Sequence, residues 1–278
     1  MMTRRNFLKT SAGAALGGLF AGRLQAEPSR MRALERIGLQ LYSIRDLMKN
    51  DFAGTLEKVA KIGYKEVEFA GYFDQQPAEV KKLLNGLGLK APASHVSIDA
   101  LRDKLEAAIG TATTIGHRYL VCPWLSPAER SLEKYKEHAA LFNKVGEACK
   151  KAGVQFAYHN HDFEFEAQDG KLPYDLLLTE TDPKLVQMEL DLFWIRKGKQ
   201  EAPAYFEKYP GRFPLCHVKD MAENEEMVEV GKGKIDFAKI FAQSKQAGLK
   251  HYFVEHDNPA EPLQSITASY RHLQKLKF

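Results

Sequence analysis

Ala152-Gly153-Val154-Gln155-Phe156-Ala157-Tyr158-His159-Asn160-His161 leaves an amphipathic helix at a glycine, opens an apolar strand two residues later and finishes that strand in polar side chains. Glycine ends a helix because it adopts positive φ without a steric penalty. The pattern recurs along the chain. Ile62-Gly63-Tyr64 precedes Glu66-Val67-Glu68-Phe69, and Leu87-Gly88-Leu89 precedes Ala91-Pro92-Ala93-Ser94-His95. Ile115-Gly116-His117 precedes Tyr119-Leu120-Val121-Cys122, and Ala247-Gly248-Leu249 precedes Tyr252-Phe253-Val254-Glu255. Helix, glycine and apolar strand in alternation mean parallel strands joined by helical crossovers. Strands are predicted to begin near Gly38, Lys65, Lys90, Arg118, Gln155, Val186, Leu215 and His251. Apolar periodicity predicts helices over Leu132–Lys151, Phe237–Gln246 and Leu263–Leu276. Such a count in this length predicts the α/β class and a single-domain (β/α)8 TIM barrel over residues 27–278. An open doubly wound sheet is the alternative, but no G-x-G-x-x-G follows the first strand, which removes its commonest variant.

Residues 1–26 read differently. Thr3-Arg4-Arg5-Asn6-Phe7-Leu8-Lys9 sets two arginines ahead of an aromatic, a leucine and a lysine. A small and apolar stretch runs from Ser11 to Gly22, and Leu24-Gln25-Ala26 offers a small-residue cleavage site. This is the pattern of a twin-arginine signal peptide. The expected partner is the twin-arginine translocation machinery, and the expected location is the periplasm. The apolar stretch falls short of the roughly 20 strongly apolar residues a bilayer span needs, so no stable membrane insertion is expected. The 40 Lys and Arg exceed the 36 Asp and Glu by four, and Arg4, Arg5, Lys9 and Arg23 account for all four. Residues 27–278 are therefore neutral, which argues against a nucleic-acid partner. Cys122, Cys149 and Cys216 make no C-x-x-C pair and are expected as buried thiols. A homo-oligomer is left open.

Most predicted strands end in residues a packed core does not favour. The first carries Gln40 and Tyr42, the second Glu68 and the third His95. The fifth ends in His159-Asn160-His161-Asp162, and the sixth carries Glu189 and Asp191, followed by Trp194. The seventh is Cys216-His217-Val218-Lys219-Asp220, and the eighth ends in Glu255-His256-Asp257. In a barrel the carboxyl ends of the strands build the active site, and buried charges need partners or a metal. His159, Asp191, His217 and Glu255 are the predicted metal ligands, one from each of four consecutive strands. Two imidazoles with two carboxylates suit Mn²⁺, Zn²⁺, Co²⁺ or Fe²⁺ better than Ca²⁺. For any one of them, a hydrogen-bonded polar residue at a strand end is the competing reading.

These residues bring the chain to a known family. It resembles the sugar phosphate isomerase/epimerase superfamily, the xylose isomerase-like barrels, over nearly all of residues 36–276. The resemblance rests on Gly153-Val154-Gln155-Phe156-Ala157-Tyr158-His159-Asn160-His161, Glu189-Leu190-Asp191, His217-Val218-Lys219-Asp220, Val230-Gly231-Lys232-Gly233-Lys234-Ile235-Asp236-Phe237 and Phe253-Val254-Glu255. It implies one divalent metal, often Mn²⁺, held by a Glu, an Asp, a His and a second Glu. Asp191, His217 and Glu255 match the last three, whereas His159 stands where the first Glu belongs. Trp194 stands where the ketose 3-epimerases carry a substrate-binding His. His-Asn-His with His-x-Lys-Asp is more similar to inosose dehydratases and lyases of 3-keto sugars. Abasic-site endonucleases of related fold need three zinc ions and more ligands than this chain offers.

The reactions of such barrels share the removal of a proton from carbon beside a carbonyl, with a divalent metal stabilising the enediolate as a Lewis acid. The expected activity is an isomerase or epimerase acting on an unphosphorylated sugar or keto sugar. A lyase or dehydratase on a 3-keto-glycoside or inosose is the alternative, and a noncatalytic carbohydrate-binding barrel is a third reading. Glu255, His161 and Lys219 are the candidate catalytic residues. Lys219 is read as one position out of phase with His217, with a salt bridge to Asp220 or Glu189 as its competing role. Glu68, His95, Gln40, Trp194 and Asn160 are the expected substrate-binding residues, with Tyr42 and Phe69 as further aromatics for a sugar face. Gly231-Lys232-Gly233 looks like a phosphate loop but is expected to be a turn, with Asp236 capping the next helix.

Overall fold

The computed structural model describes residues 31–278, so the signal peptide expected over 1–26 lies outside the described residues. Eight parallel strands close into a barrel. They are β1 (Gly38–Gln40), β2 (Glu66–Phe69), β3 (Lys90–His95), β4 (Tyr119–Cys122), β5 (Gln155–His159), β6 (Val186–Asp191), β7 (Leu215–Val218) and β10 (His251–Val254). Between β7 and β10 lies an antiparallel pair, β8 (Asp220–Met221) and β9 (Met227–Val228). Each barrel strand starts within one residue of its predicted position. The five glycines that the sequence pattern rests on, Gly63, Gly88, Gly116, Gly153 and Gly248, all have positive φ. The predicted helix Leu132–Lys151 is observed over those residues, and the last runs Pro262–Lys275. Phe237–Gln246 is corrected: it splits into Phe237–Ala242 and Ser244–Ala247. The Arg32 guanidinium takes the carbonyls of Phe241 and Ala242 at the break, where a continuous helix would have used them internally. No helix among the described residues is long and apolar enough to cross a membrane.

Strand alternation sorts the side chains into two layers. Outward-facing residues such as Val67, Phe69, Leu120, Phe156, Leu190 and Val254 join the large core under the helices. The inward-facing Ala93, Tyr119, Val121, Ala157, Leu215 and Phe253 form a separate small cluster along the barrel axis. That cluster is the apolar floor on which the polar strand ends stand. The three cysteines are buried and unpaired, as expected.

Phe253 reaches the axis because Gly38 on β1 has no side chain. A Cβ at position 38 would stand 2.5 Å from the Phe253 ring and 3.0 Å from the Tyr252 carbonyl. Gly38→Ala is therefore expected to destabilise the fold by about 1–3 kcal/mol through overpacking. A urea titration checks this: the midpoint should fall with the slope unchanged.

Candidate active site

β5, β6, β7 and β10 are neighbours, so their ends deliver His159, Asp191, His217 and Glu255 to one mouth. All four side chains are buried. His217 Nδ1 lies 2.7 Å from Glu255 Oε2 and 3.7 Å from Asp191 Oδ2, and His159 Nε2 lies 3.7 Å from Asp191 Oδ2. The ligand atoms fall into two overlapping groups, each close enough to hold one ion. One is Asp191, His217 and Glu255; the other is His95, His159, Glu189 and His217. Three of the predicted ligands, Asp191, His217 and Glu255, thus share one group, whereas His159 falls in the other with His95 and Glu189.

The fit to a divalent cation rests on orphaned polar atoms. Glu68 Oε1 and Glu189 Oε1 are buried and make neither a hydrogen bond nor an ion pair within the protein. Buried polar atoms are rarely left so, and carboxylate oxygens in that state suit a cation. The neighbouring charges respond to one another. Burial opposes charge on His217, but Glu189 and Glu255 outweigh it and hold the imidazole well above its usual range. Burial likewise opposes charge on His95, and Glu68 and Glu189 raise it to about 9. His159, buried and facing the His217 charge, is lowered to about 3. Burial lifts Asp191 to about 6 despite the Lys219 ammonium beside it.

Lys219 is in phase with His217, being two residues further along, and this corrects the out-of-phase reading. Its buried ammonium lies 2.7 Å from Glu255 Oε2, 3.1 Å from Asp191 Oδ2 and 2.7 Å from Asp257 Oδ1. Neither Asp220 nor Glu189 is its partner. Asp220 instead accepts the N–H groups of Gly231 at 2.8 Å, Gly233 at 3.0 Å and Ile235 at 3.2 Å. The glycine loop thus wraps the protein's own carboxylate, and a Cβ at Gly233 would stand 2.2 Å from Asp220. Asp236 caps the following helix through the Lys239 N–H, as expected.

Several expected substrate contacts are turned elsewhere. Glu68 is fully buried, accepts from Gln40 Nε2 at 2.7 Å and lies 2.7 Å from His217 Nε2. A carboxylate on one imidazole nitrogen orients the ring and leaves the other free as a ligand. Gln40 also accepts the Tyr42 N–H at 3.0 Å. The Asn160 oxygen accepts the Asp191 N–H at 3.0 Å, so this side chain positions the sixth strand end. Phe69 faces the helix layer against Phe52 and Tyr72. By contrast His95, His159, His161, Lys219, Glu255, Tyr42 and Asp257 line one cavity of about 530 Å³. Trp194 is absent from that lining and packs behind His161, ring centroids 5.2 Å apart. Burial, with the neighbouring His159 ring and the Lys219 ammonium, holds His161 well below the usual imidazole range.

Trp124, Asp257 and Glu164 were missed from sequence. Trp124, just past β4, lines the cavity. Glu164, fully buried, accepts from the Tyr158 hydroxyl and from the His161 N–H at 2.8 Å. Alternation points to Asp257, two residues beyond Glu255; no comparable signal marks Trp124 or Glu164.

Two predictions follow from these geometries. Lys219 shares Asp191 and Glu255 with any bound metal, so Lys219→Met should raise Mn²⁺ affinity by about tenfold, a coupling of roughly 1–3 kcal/mol. Calorimetric titration with Mn²⁺ reads this, and His159→Ala should lower the affinity in the same assay. Burial raises Glu164 to about 8. The folded chain keeps this proton up to that pH, whereas the unfolded chain releases it near an ordinary carboxylate pKa of about 4.3. Stability therefore falls as pH rises between those values, by at most about 1.4 kcal/mol per unit from this group. Glu164→Gln should remove that part of the slope, as measured by urea unfolding from about pH 5 to 8.

Comparison with known proteins agrees with this geometry. Residues 56–276 match the family model for the xylose isomerase-like TIM barrel. An inosose dehydratase of Geobacillus kaustophilus is 23% identical over 229 residues, covering 68% of this chain and 74% of that one. The crystal structure of a sugar phosphate isomerase/epimerase from Parabacteroides distasonis superposes with a TM-score of 0.76 at 28% identity, covering 87% of this chain and 94% of that one. A 3-keto-D-glucoside 4-epimerase from E. coli shares the fold, with a TM-score of 0.68 at 17% identity over 87% of this chain and 99% of that one. The chain belongs to the xylose isomerase-like TIM barrel family.

Proposed function

We propose that the chain is a divalent-metal-dependent lyase that removes a proton beside the carbonyl of an unphosphorylated keto sugar and expels a β-oxygen. The observation that carries this reading is that the His161 imidazole and the Lys219 side chain line one cavity with the candidate ligands His159 and Glu255. Asp191, His217 and Glu255 would hold the ion, with His159 beside them. When bound, the ion polarises the carbonyl and steadies the negative charge that develops on it. His161 accepts the proton from the α-carbon, and the electron pair of that C–H bond moves into the enolate. As the carbonyl reforms, the β C–O bond breaks and the departing oxygen takes a proton from Lys219. The products are an unsaturated ketone and water or an alcohol, and solvent returns the two side chains to their starting states. Asp191 and Glu255 hold the Lys219 proton, and sharing these carboxylates with a bound ion would make the lysine a stronger acid. An isomerase or epimerase is the second reading, supported by the 28% identity to the Parabacteroides distasonis structure. Export through the twin-arginine route is part of the proposal, and it favours substrates without phosphate. Mn²⁺ is the proposed ion, with Zn²⁺, Co²⁺ and Fe²⁺ to be compared.

The test is to incubate the Mn²⁺-loaded protein in D₂O with 3-keto-glucosides, inososes and free ketoses, following deuterium by NMR and leaving-group release. Elimination predicts release together with an unsaturated ketone. His161→Ala should slow it by about 10²–10⁴-fold, the usual contribution of a positioned base. Deuterium incorporation without release would transfer the assignment to isomerase or epimerase. No exchange with any of these sugars would sink both.

A further inference from the structure

The two candidate metal groups are unequally supplied with positive charge. In the group of Asp191, His217 and Glu255, the Lys219 ammonium lies 3.1 Å from Asp191 Oδ2 and 2.7 Å from Glu255 Oε2. Glu68 and Glu189 have no such neighbour. Among the described residues their ion pairs are all to imidazoles, those of His95, His159 and His217. Both side chains are fully buried, and each uses Oε2 for these contacts and leaves Oε1 without a partner. The unmet demand for a cation therefore lies at the second group, not at the first.

Three imidazoles converge on Glu189. Its Oε2 lies 3.0 Å from His95 Nε2, 3.4 Å from His159 Nδ1 and 3.2 Å from His217 Nε2. His217 is already committed: Nε2 stands closer to Glu68 Oε2, at 2.7 Å, and Nδ1 faces Glu255 at 2.7 Å. His95, His159 and Glu189 are left as a set of three. With metal–ligand bonds of about 2.0–2.2 Å, two ligands on one tetrahedral ion lie roughly 3.3–3.6 Å apart. The His159–Glu189 separation falls in that interval and is long for a hydrogen bond. The His95–Glu189 separation needs to open by only a few tenths of an ångström. Total charge points the same way, because ligating imidazoles are neutral. Lys219 and one divalent ion bring three positive charges against the five carboxylates of Glu68, Glu189, Asp191, Glu255 and Asp257. A second divalent ion closes the difference.

We propose that His95, His159 and Glu189 form a second divalent-cation site, so that the loaded chain carries two ions. Two imidazoles with one carboxylate suit Fe²⁺, Zn²⁺ or Co²⁺, whereas the two carboxylates and one imidazole of the first group suit Mn²⁺. The two sites thus differ in the metal they prefer. His95 and His159 line the cavity, so the second ion is loaded from there and meets whatever the cavity binds. His159 turns its other nitrogen toward the first group, with Nε2 3.7 Å from Asp191 Oδ2, and so stands between the two ions. The assignment adds to the ion proposed at Asp191, His217 and Glu255 and is independent of the reaction that ion serves.

Metal counting tests this. The chain is stripped with a chelator, loaded with Mn²⁺ alone or Zn²⁺ alone, desalted and analysed by plasma mass spectrometry. Two ions per chain are expected with either metal. One equivalent of Zn²⁺ followed by excess Mn²⁺ should leave one of each. His95→Ala should reduce the count to one, Asp191→Asn should do the same, and the double variant should hold none. Glu189→Gln is the second probe of the site, and circular dichroism selects the variants that remain folded. One ion per chain in the parent at every loading overturns the second site. A second ion that persists in both His95→Ala and Glu189→Gln is an adventitious ion only, and overturns it as well. Either result leaves the proposed function standing if turnover depends on the ion lost in Asp191→Asn. Two ions that follow these substitutions, with no exchange on any sugar, would keep the site and remove the function.

Discussion

Four carboxylates, those of Glu68, Glu189, Asp191 and Glu255, are buried at one end of the barrel with one lysine among them. Burying charge without compensation is costly by several kcal/mol per ion. The surrounding polar chemistry can be read as a response to that constraint. Glu68 and Glu189 hold His95 above its usual range, Glu189 and Glu255 do the same for His217, and Asp191 and Glu255 draw Lys219 into a place where a lysine is seldom found. The compensation is incomplete, because Glu68 Oε1 and Glu189 Oε1 remain without partners. A divalent cation is the simplest addition that satisfies them together.

The constraint exists because of how the barrel is built. Inward-facing positions near the middle are filled by Phe253, Tyr119, Leu215 and small residues, which exclude water from the axis. The polar strand ends therefore stand on an apolar floor and meet solvent only through the cavity above. Two tiers result. In the lower tier Gln40, Glu68, His95 and Glu189 bond chiefly to one another and to His217. In the upper tier Asp191, Lys219, Glu255 and Asp257 face the cavity or lie at its base. Removing Glu68 would disturb the orientation of His217 without removing a member of either candidate metal group.

Much of this was legible in sequence because the governing rules are local. Glycine at a helix end and alternation along a strand need no knowledge of distant residues, and they located eight strands within one residue of their observed starts. Alternation applied strictly would also have placed Lys219 with His217, Glu189 with Asp191, and Asp257 with Glu255. What alternation cannot supply is depth. Glu68 and Gln40 face inward as expected, but they sit below the cavity and bond within the protein. Asn160 and Phe69 face away from the axis, so one meets backbone and the other meets helices. The helix break at Gln243 depends on Arg32, some two hundred residues away, and no local pattern announces such a contact. Trp124 lies in a loop and Glu164 in the single 3-10 turn Phe163–Phe165, where neither period applies.

His159 carries the argument that separates this site from a symmetric one. An epimerase that removes a proton from one face and returns it to the other works best with two groups that can each accept and donate. A carboxylate at position 159 facing Glu255 would provide such a pair. Here position 159 is an imidazole that burial and the His217 charge hold well below its usual range, and the Lys219 ammonium shares Asp191 Oδ2 with it. On the proposed lyase reading, His161 and Lys219 divide proton acceptance from proton donation, and a departing oxygen makes use of the ammonium, whereas simple inversion of a carbon centre leaves it idle.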